Sequence, residues 1–271
     1  MTDVSTPTGF MPRPLAEQRV LVVGGTSGIG LATAAAFRAE GAPVAVAGRS
    51  AERGAAALHH LAAVDAPPAT SPPQFLAADA ADPAAVTALI DAAEAALGRI
   101  DTVVVSPGTT RLPELLQRQS LEDIRTALTQ DLAPVLYLGR AAWPALVRAG
   151  GGTVLAVASD AGKVATPGEA VIGAGMAAVI QFMRTLAIEG KRQGIRANTL
   201  TPSLVEGTAL TERLMEDGTF SAKLFAKARP LAHLGPTEVE DLAALAVFLA
   251  SPAARRLTGQ AISVNGGISA A

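Results

Sequence analysis

The residues best placed to do chemistry are glycines. "VVGGTSGIG" sets Gly24, Gly25, Gly28 and Gly30 directly between a short apolar run and a stretch of helical periodicity. Only glycine lets the backbone turn this sharply while a pyrophosphate approaches a helix N-terminus, where free N–H groups and the helix dipole favour anions. Between a strand and a helix, such a string reads as a dinucleotide site rather than a plain tight turn. The end of the next apolar run selects the dinucleotide. An acid there would hydrogen-bond the adenosine ribose of NAD(H); here the position is Gly48, followed by Arg49 and Ser50. Glycine leaves room, and arginine can pair bidentately with a 2′-phosphate. The expected cofactor is therefore NADP(H), with NAD(H) the lesser alternative.

Other side chains offer less. The chain has no cysteine, which excludes disulfides, thiolate catalysis and cysteine-ligated zinc. Its three histidines are His59, His60 and His233, and none has an acid or histidine at ligand spacing, so no metal site is expected. A net charge of −2 gives no basic surface for nucleic acid or an anionic membrane. No apolar run is expected to span a bilayer, and residues 1–14, "MTDVSTPTGFMPRP", lack the apolar stretch of a signal peptide. The cytoplasm is the expected location, and a small molecule the expected substrate.

These residues need a scaffold. With 271 residues, 49% hydrophobic but only 3% aromatic, the core must be Ala, Val and Leu. "RVLVV", "PVAVAG", "QFLAA", "DTVVV", "TVLAVA", "IRANTL" and "QAISVNGG" read as strands. Helical stretches lie between them: Ile29 to about Glu40, about Ala51 to Ala63, Pro83 to Gly98 behind an Asp82 cap, and a long one opened by a Ser120–Asp123 capping box. Pro134 and Pro144 should kink or divide that helix. "EAVIGAGMAAV" begins the next helix, residues 203–236 form an irregular excursion with short helices, and "EVEDLAALAVFLAS" is a helix. The alternation predicts an α/β fold: a Rossmann-type, doubly wound parallel sheet of about seven strands in a three-layer α/β/α sandwich. Residues 1–14 should be a flexible tail and 15–271 a single domain.

With these motifs in place, the sequence resembles the short-chain dehydrogenase/reductase family, from about Arg19 to Gly267. Gly24, Gly28 and Gly30 match its glycine motif, with Val23 where threonine is usual. "AADAAD" matches the strand end at the adenine, which implies that Asp79 caps the adenine amino group. "NTLTPSLVEGT" matches the segment after the sixth strand, with Ser203 for the usual glycine, and implies that Thr208 faces the nicotinamide carboxamide. The resemblance extends the cofactor contacts to Thr26, Ser27, Ile29, Ser50 and Ala80, then to Ser106, Pro107 and Gly108, and to Pro202 and Val205. It also implies a homotetramer, or a hetero-oligomer with a related chain of the family, built on the helices around residues 112–149 and 169–192.

The resemblance breaks where the family does its chemistry, with serine, tyrosine, lysine and an assisting asparagine. "TVLAVASDAG" carries the serine at Ser159. Thirteen residues on, where tyrosine belongs, is Ile172; four further, where lysine belongs, is Met176. The chain's one tyrosine is Tyr137, and the nearest lysine is Lys163. Asp131 stands at the asparagine position, and "VSPG" replaces the usual Asn-Asn-Ala-Gly. Three readings remain open. The first is an oxidoreductase whose proton comes from water, Asp131, Asp160 or Lys163. The second is a catalytically silent NADP(H)-binding subunit. The third is a lyase or cyclase on the same scaffold. A buried carboxylate at Asp131 could hold a proton to donate.

Overall fold

The computed structural model describes residues 10–68, 70–108 and 111–271. Among these, seven strands form one sheet: β1 (Val20–Val23), β2 (Val44–Gly48), β3 (Gln74–Ala77), β4 (Thr102–Val105), β5 (Gly152–Val157), β6 (Ile195–Pro202) and β7 (Ala261–Val264). Their order is β3-β2-β1-β4-β5-β6-β7, and every pairing is parallel. Parallel neighbours need crossovers, which cover both faces of the sheet and leave its strands apolar on both sides. The short Val- and Ala-rich runs have that composition.

Alternation along each strand splits the core in two. Val20 and Val22 of β1 face α1 (Gly28–Ala39), α2 (Ala51–Ala62) and α9 (Val239–Ala250), through Phe37, Leu61, Leu242 and Leu249. Leu21 and Val23 face the other layer: α3 (Pro83–Leu97), α5 (Ala133–Arg148) and α6 (Ala170–Gly190), through Ile90, Leu138, Leu146, Val179 and Met183. The expected three-layer architecture is what forms. A third, smaller cluster of Leu204, Leu214 and Phe225 joins α7 (Ala209–Leu214) and α8 (Phe220–Ala228), and Leu112 packs against it. The excursion after β6 thus has its own small core.

Local signals set the boundaries. Asp82 caps α3 by accepting from the Ala84 N–H, and Ser120 and Asp123 close the capping box of α4 (Leu121–Ala127). The long helix divides at Pro134 as expected, through a π turn, Leu128–Leu132, before α5 starts. Pro144 does not divide it; α5 continues to Arg148. Pro144 and Arg140, whose carbonyl the proline cannot serve, both lie on the exposed side of the helix.

Two expectations need correction. Ala170–Gln193 is, by length and composition alone, apolar enough to cross a membrane. Its apolarity has another source here: α6 lies on the sheet and buries Val179, Met183 and Leu186 in the core. The tail expected over residues 1–14 is docked in its described part. Phe10 packs against Gly151 and Gly194, where a Cβ would collide with its ring, and Arg13 pairs with Asp101 at 3.3 Å. Residues 1–9 lie outside the described residues.

Arg196, only 5% exposed, ties the sheet to the segment that follows α9. Its guanidinium donates to the carbonyls of Ala254 and Leu257 at 3.1 Å each and to the Thr153 hydroxyl at 2.7 Å. Burial lowers its pKa to about 10, so it stays charged at neutral pH. Arg196→Met keeps the bulk but strands these buried acceptors. It should cost about 2–4 kcal/mol, read as a lower urea midpoint at unchanged m-value. An unchanged midpoint would show that the bonds add nothing.

Candidate functional site

The strand order reverses between β1 and β4, and in open α/β sheets that crevice is where ligands bind. Its two lips touch. A Cβ on Gly24, at φ +78°, would lie 2.0 Å from the Ser106 carbonyl oxygen, and the Ser106 N–H donates to Val23 at 2.9 Å. A Cβ on Gly30 would lie 2.2 Å from the Gly24 oxygen. The loop therefore folds flat between strand and helix only because both positions are glycine. Ser27, extended at φ −165°, precedes α1 and makes no side-chain cap; its carbonyl accepts from the Leu31 N–H at 3.2 Å, and its hydroxyl accepts from none of the N–H groups before that. That is the donor set a pyrophosphate requires.

The remaining predicted contacts gather around this loop. A Cβ on Gly48 would sit 3.1 Å from the Thr26 side chain, so the end of β2 lies against the glycine loop. Arg49 follows, exposed, and the Ser50 hydroxyl caps α2 by accepting from the Arg53 N–H. The Ala78 N–H bonds the Gly48 carbonyl, placing Asp79 and Ala80 beside Arg49; Asp79 accepts from the Ala81 N–H at 3.0 Å. Across the loop, a Cβ on Gly28 would be 3.7 Å from the Thr208 methyl group. The Thr208 hydroxyl caps α7, and buried Val205 pairs with Thr237. Pro202 closes β6, and Pro107 and Gly108 continue the β4 lip.

The candidate reaction centre lies where the turn after β5 packs closely on α6. A Cβ on Gly162 would lie 2.7 Å from the Met176 backbone, and one on Gly173 would lie 2.6 Å from the Ala161 oxygen. This lays Ser159 and its turn along the segment holding Ile172 and Met176. The half-buried Ser159 accepts from the Ala161 N–H at 3.2 Å. Met176 is 8% exposed and joins the core, and half-buried Ile172 packs on its edge. Ile172 and Val171 line a cavity of about 310 Å³, together with Arg111, Leu112, Glu114, Arg118, Gln119 and Asp123. Asp131 is buried in the π turn, a distortion frequent at functional sites, and that turn packs on α6.

Asp160 and Lys163 are committed elsewhere. The Ser263 hydroxyl donates to Asp160 at 3.0 Å, the Ser269 hydroxyl at 2.7 Å, and the Asn265 amide also donates to it. Lys163 lies 3.5 Å from Asp160 and donates to Ser263 and to the Ala271 carbonyl. This network binds the turn after Ser159 to the end of β7, so neither group is a free proton source. Sequence reasoning also passed over Glu169, which precedes α6. Burial raises its pKa above the usual carboxylate range, with Asp160 adding to the rise and a Thr166 hydrogen bond opposing it.

A family model described as enoyl-(acyl carrier protein) reductase matches residues 23–269. The chain belongs to the short-chain dehydrogenase/reductase family. It is 34% identical to the D-threitol dehydrogenase of Mycolicibacterium smegmatis, over 91% of each chain. It is 30% identical to the 3-oxoacyl-[acyl-carrier-protein] reductase of Escherichia coli, over 92% of this chain and 96% of that one. Among solved structures, a short-chain type dehydrogenase/reductase from Mycobacterium ulcerans superposes with a TM-score of 0.84 at 30% identity, covering 93% of this chain and 90% of that one. A 3-ketoacyl-(acyl-carrier-protein) reductase from Brucella melitensis complexed with NADH gives 0.83 at 26% identity, covering 94% and 100%. The fold and glycine loop of this short-chain dehydrogenase/reductase are thus those of nicotinamide-dependent oxidoreductases.

Gly24→Ala tests the cradle. The methyl group demands a left-handed backbone and meets the Ser106 carbonyl, so stability should drop by more than about 2 kcal/mol. Dinucleotide binding, followed by fluorescence titration, should weaken at least about tenfold. Unchanged binding would place the dinucleotide elsewhere.

Proposed function

We propose that the protein binds NADP(H) and moves hydride between it and a carbonyl or alcohol of a small molecule, without the tyrosine–lysine relay of its family. The observation that carries this reading is a contrast. The dinucleotide cradle is intact, while the side chains beside Ser159 are the apolar Ile172 and Met176.

The residues fit the cofactor in three places. The first turn of α1 would take the pyrophosphate, Arg49 the 2′-phosphate, and Asp79 the adenine amino group. Thr208 stands over the loop on the nicotinamide side. The bound dihydronicotinamide supplies a hydride. Ser159, its oxygen already accepting from Ala161, keeps its proton for the substrate oxygen. The Met176 thioether cannot grip a ribose as an ammonium would, so the ring is held more weakly and turnover is slow. The burial of Met176 also supports a second reading, a silent NADP(H)-binding subunit in a homotetramer or paired with a related chain. In either assembly α5 and α6 would meet a partner, through exposed residues such as Val147 and Ile188.

Cofactor choice is tested by Arg49→Ala. NADPH affinity should fall about ten- to a hundredfold, the loss of a hydrogen bond to a charged group, while NADH affinity stays put. Calorimetry showing tighter NADH than NADPH binding in the parent would refute the assignment.

The missing relay is tested by Ile172→Tyr with Met176→Lys. General acid–base assistance is typically worth about 10²–10⁴-fold, so the double variant should gain ketone reduction on that scale. Tyrosine alone should gain little, because it lacks the neighbouring cation. Lysine alone should gain nothing and lower the melting temperature, because it puts an ammonium among apolar side chains. Additive gains from the two single changes would refute a relay.

A further inference from the structure

We propose that Asp160 is the positioning residue of this site: through it, the segment that follows β7 fixes the Ser159 hydroxyl relative to the wall that carries Thr208. The proposal rests on the redox reading above and names what holds the hydroxyl which that reading uses.

Asp160 directly follows Ser159, and its side chain is only 8% exposed. Both of its oxygens are taken by groups from the far side of the sheet order. One accepts from the Ser263 hydroxyl at 3.0 Å, the other from the Ser269 hydroxyl at 2.7 Å and from the Asn265 amide. Lys163, 10% exposed, stands 3.5 Å from the first oxygen and donates to Ser263 and to the Ala271 carbonyl. Backbone bonds close the turn between these two charges. The Gly162 N–H donates to the Ser159 carbonyl at 3.0 Å, and the Lys163 and Val164 N–H groups donate to the Asp160 carbonyl at 2.8 and 2.9 Å. The Ala161 N–H, aimed by that turn, donates to the Ser159 hydroxyl at 3.2 Å. Whatever fixes Asp160 therefore orients the Ser159 hydroxyl.

The same segment reaches the other wall. Asn265 folds it back: its side-chain oxygen accepts from the Gly267 N–H at 3.0 Å, and its amide donates to the Ser269 hydroxyl at 3.0 Å. Gly266, at φ +64°, packs so closely on the loop before α9 that a Cβ would lie 2.0 Å from the Gly235 oxygen. The Leu234 N–H donates to the Gly266 carbonyl at 3.0 Å. Thr237, in the same loop, donates its hydroxyl to the Val264 carbonyl at 3.2 Å and accepts from the Glu206 N–H at 2.8 Å. Thr237 also pairs with Val205, whose carbonyl accepts from the Thr208 hydroxyl at 3.3 Å. A run of contacts thus leads from the Ser159 turn through residues 263–269 to Thr208. Burying a charged pair costs desolvation that its attraction repays poorly, and apolar side chains of similar volume often give equal or greater stability. What this network supplies is a single geometry, because each member is held by several partners. That geometry is imposed one residue from the serine.

Asp160→Asn keeps the shape but leaves one accepting oxygen, so either Ser263 or the Asn265 and Ser269 pair loses its acceptor. Hydrogen exchange read by mass spectrometry should quicken about tenfold or more at residues 159–164 and hold at β1 and β4. In turnover with NADPH and a panel of ketones, kcat should fall about ten- to a hundredfold. NADPH affinity should be unchanged, because the proposed phosphate contacts lie at the glycine loop. Ser269→Ala removes one donor and leaves the charged pair. It should move exchange and kcat the same way but less, so the test survives an Asp160 variant that folds poorly. The deciding readout is a double-mutant cycle. With Ser159→Ala already in place, Asp160→Asn should cost no further rate, because it acts through that hydroxyl; a merely structural loss would persist. Exchange at residues 159–164 that stays as in the parent, or equal rate losses with and without the Ser159 hydroxyl, would overturn the proposal and leave the redox reading standing. A parent that binds NADPH and reduces no ketone would overturn the redox reading and the proposal with it.

Discussion

The molecule turns on one contact between backbones. The end of β4 passes so close over the end of β1 that position 24 has no room for a side chain. That contact fixes where the sheet reverses its winding. It starts α1 at Gly28 with its first N–H groups unclaimed by the Ser27 side chain, and the glycine loop lies against Thr208 on one side and Gly48 on the other. The anion site is a by-product of this packing. Unpaired donors at a helix end cost free energy unless something accepts from them, and a pyrophosphate is a suitable acceptor.

A second backbone contact organises the chemistry. Gly162 and Gly173 let the turn after Ser159 lie against α6, which holds the serine beside Ile172 and Met176 whatever those side chains are. With apolar residues there, α6 gains core contacts and needs no buried ammonium, which favours stability.

Most of the fold was legible because its signals are local. Valine and alanine runs bounded by glycine gave the strands, and the Asp82-Pro83 and Ser120–Asp123 caps gave helix starts that the structure keeps. The glycine loop between β1 and α1 was equally readable. What stayed hidden depends on partners far along the chain. Asp160 looked like an ordinary loop acid, yet its partners Ser263, Asn265 and Ser269 lie more than a hundred residues away. Phe10 and Arg13 looked like tail residues because Gly151, Gly194 and Asp101 are equally remote. Pro144 promised a break that its exposed setting removes. Glu169 drew no notice because the burial that raises its pKa is a tertiary effect with no local signal.

The central claim is that hydride still moves across a site stripped of its usual acid. Incubating the purified chain with NADPH deuterated at the transferring position, together with ketones, and analysing the alcohols by mass spectrometry tests it most directly. The account predicts slow accumulation of alcohol carrying one deuterium on the former carbonyl carbon, above a protein-free control. Saturable NADPH binding with no deuterium transfer beyond that control would contradict it and leave a dinucleotide-binding subunit in its place.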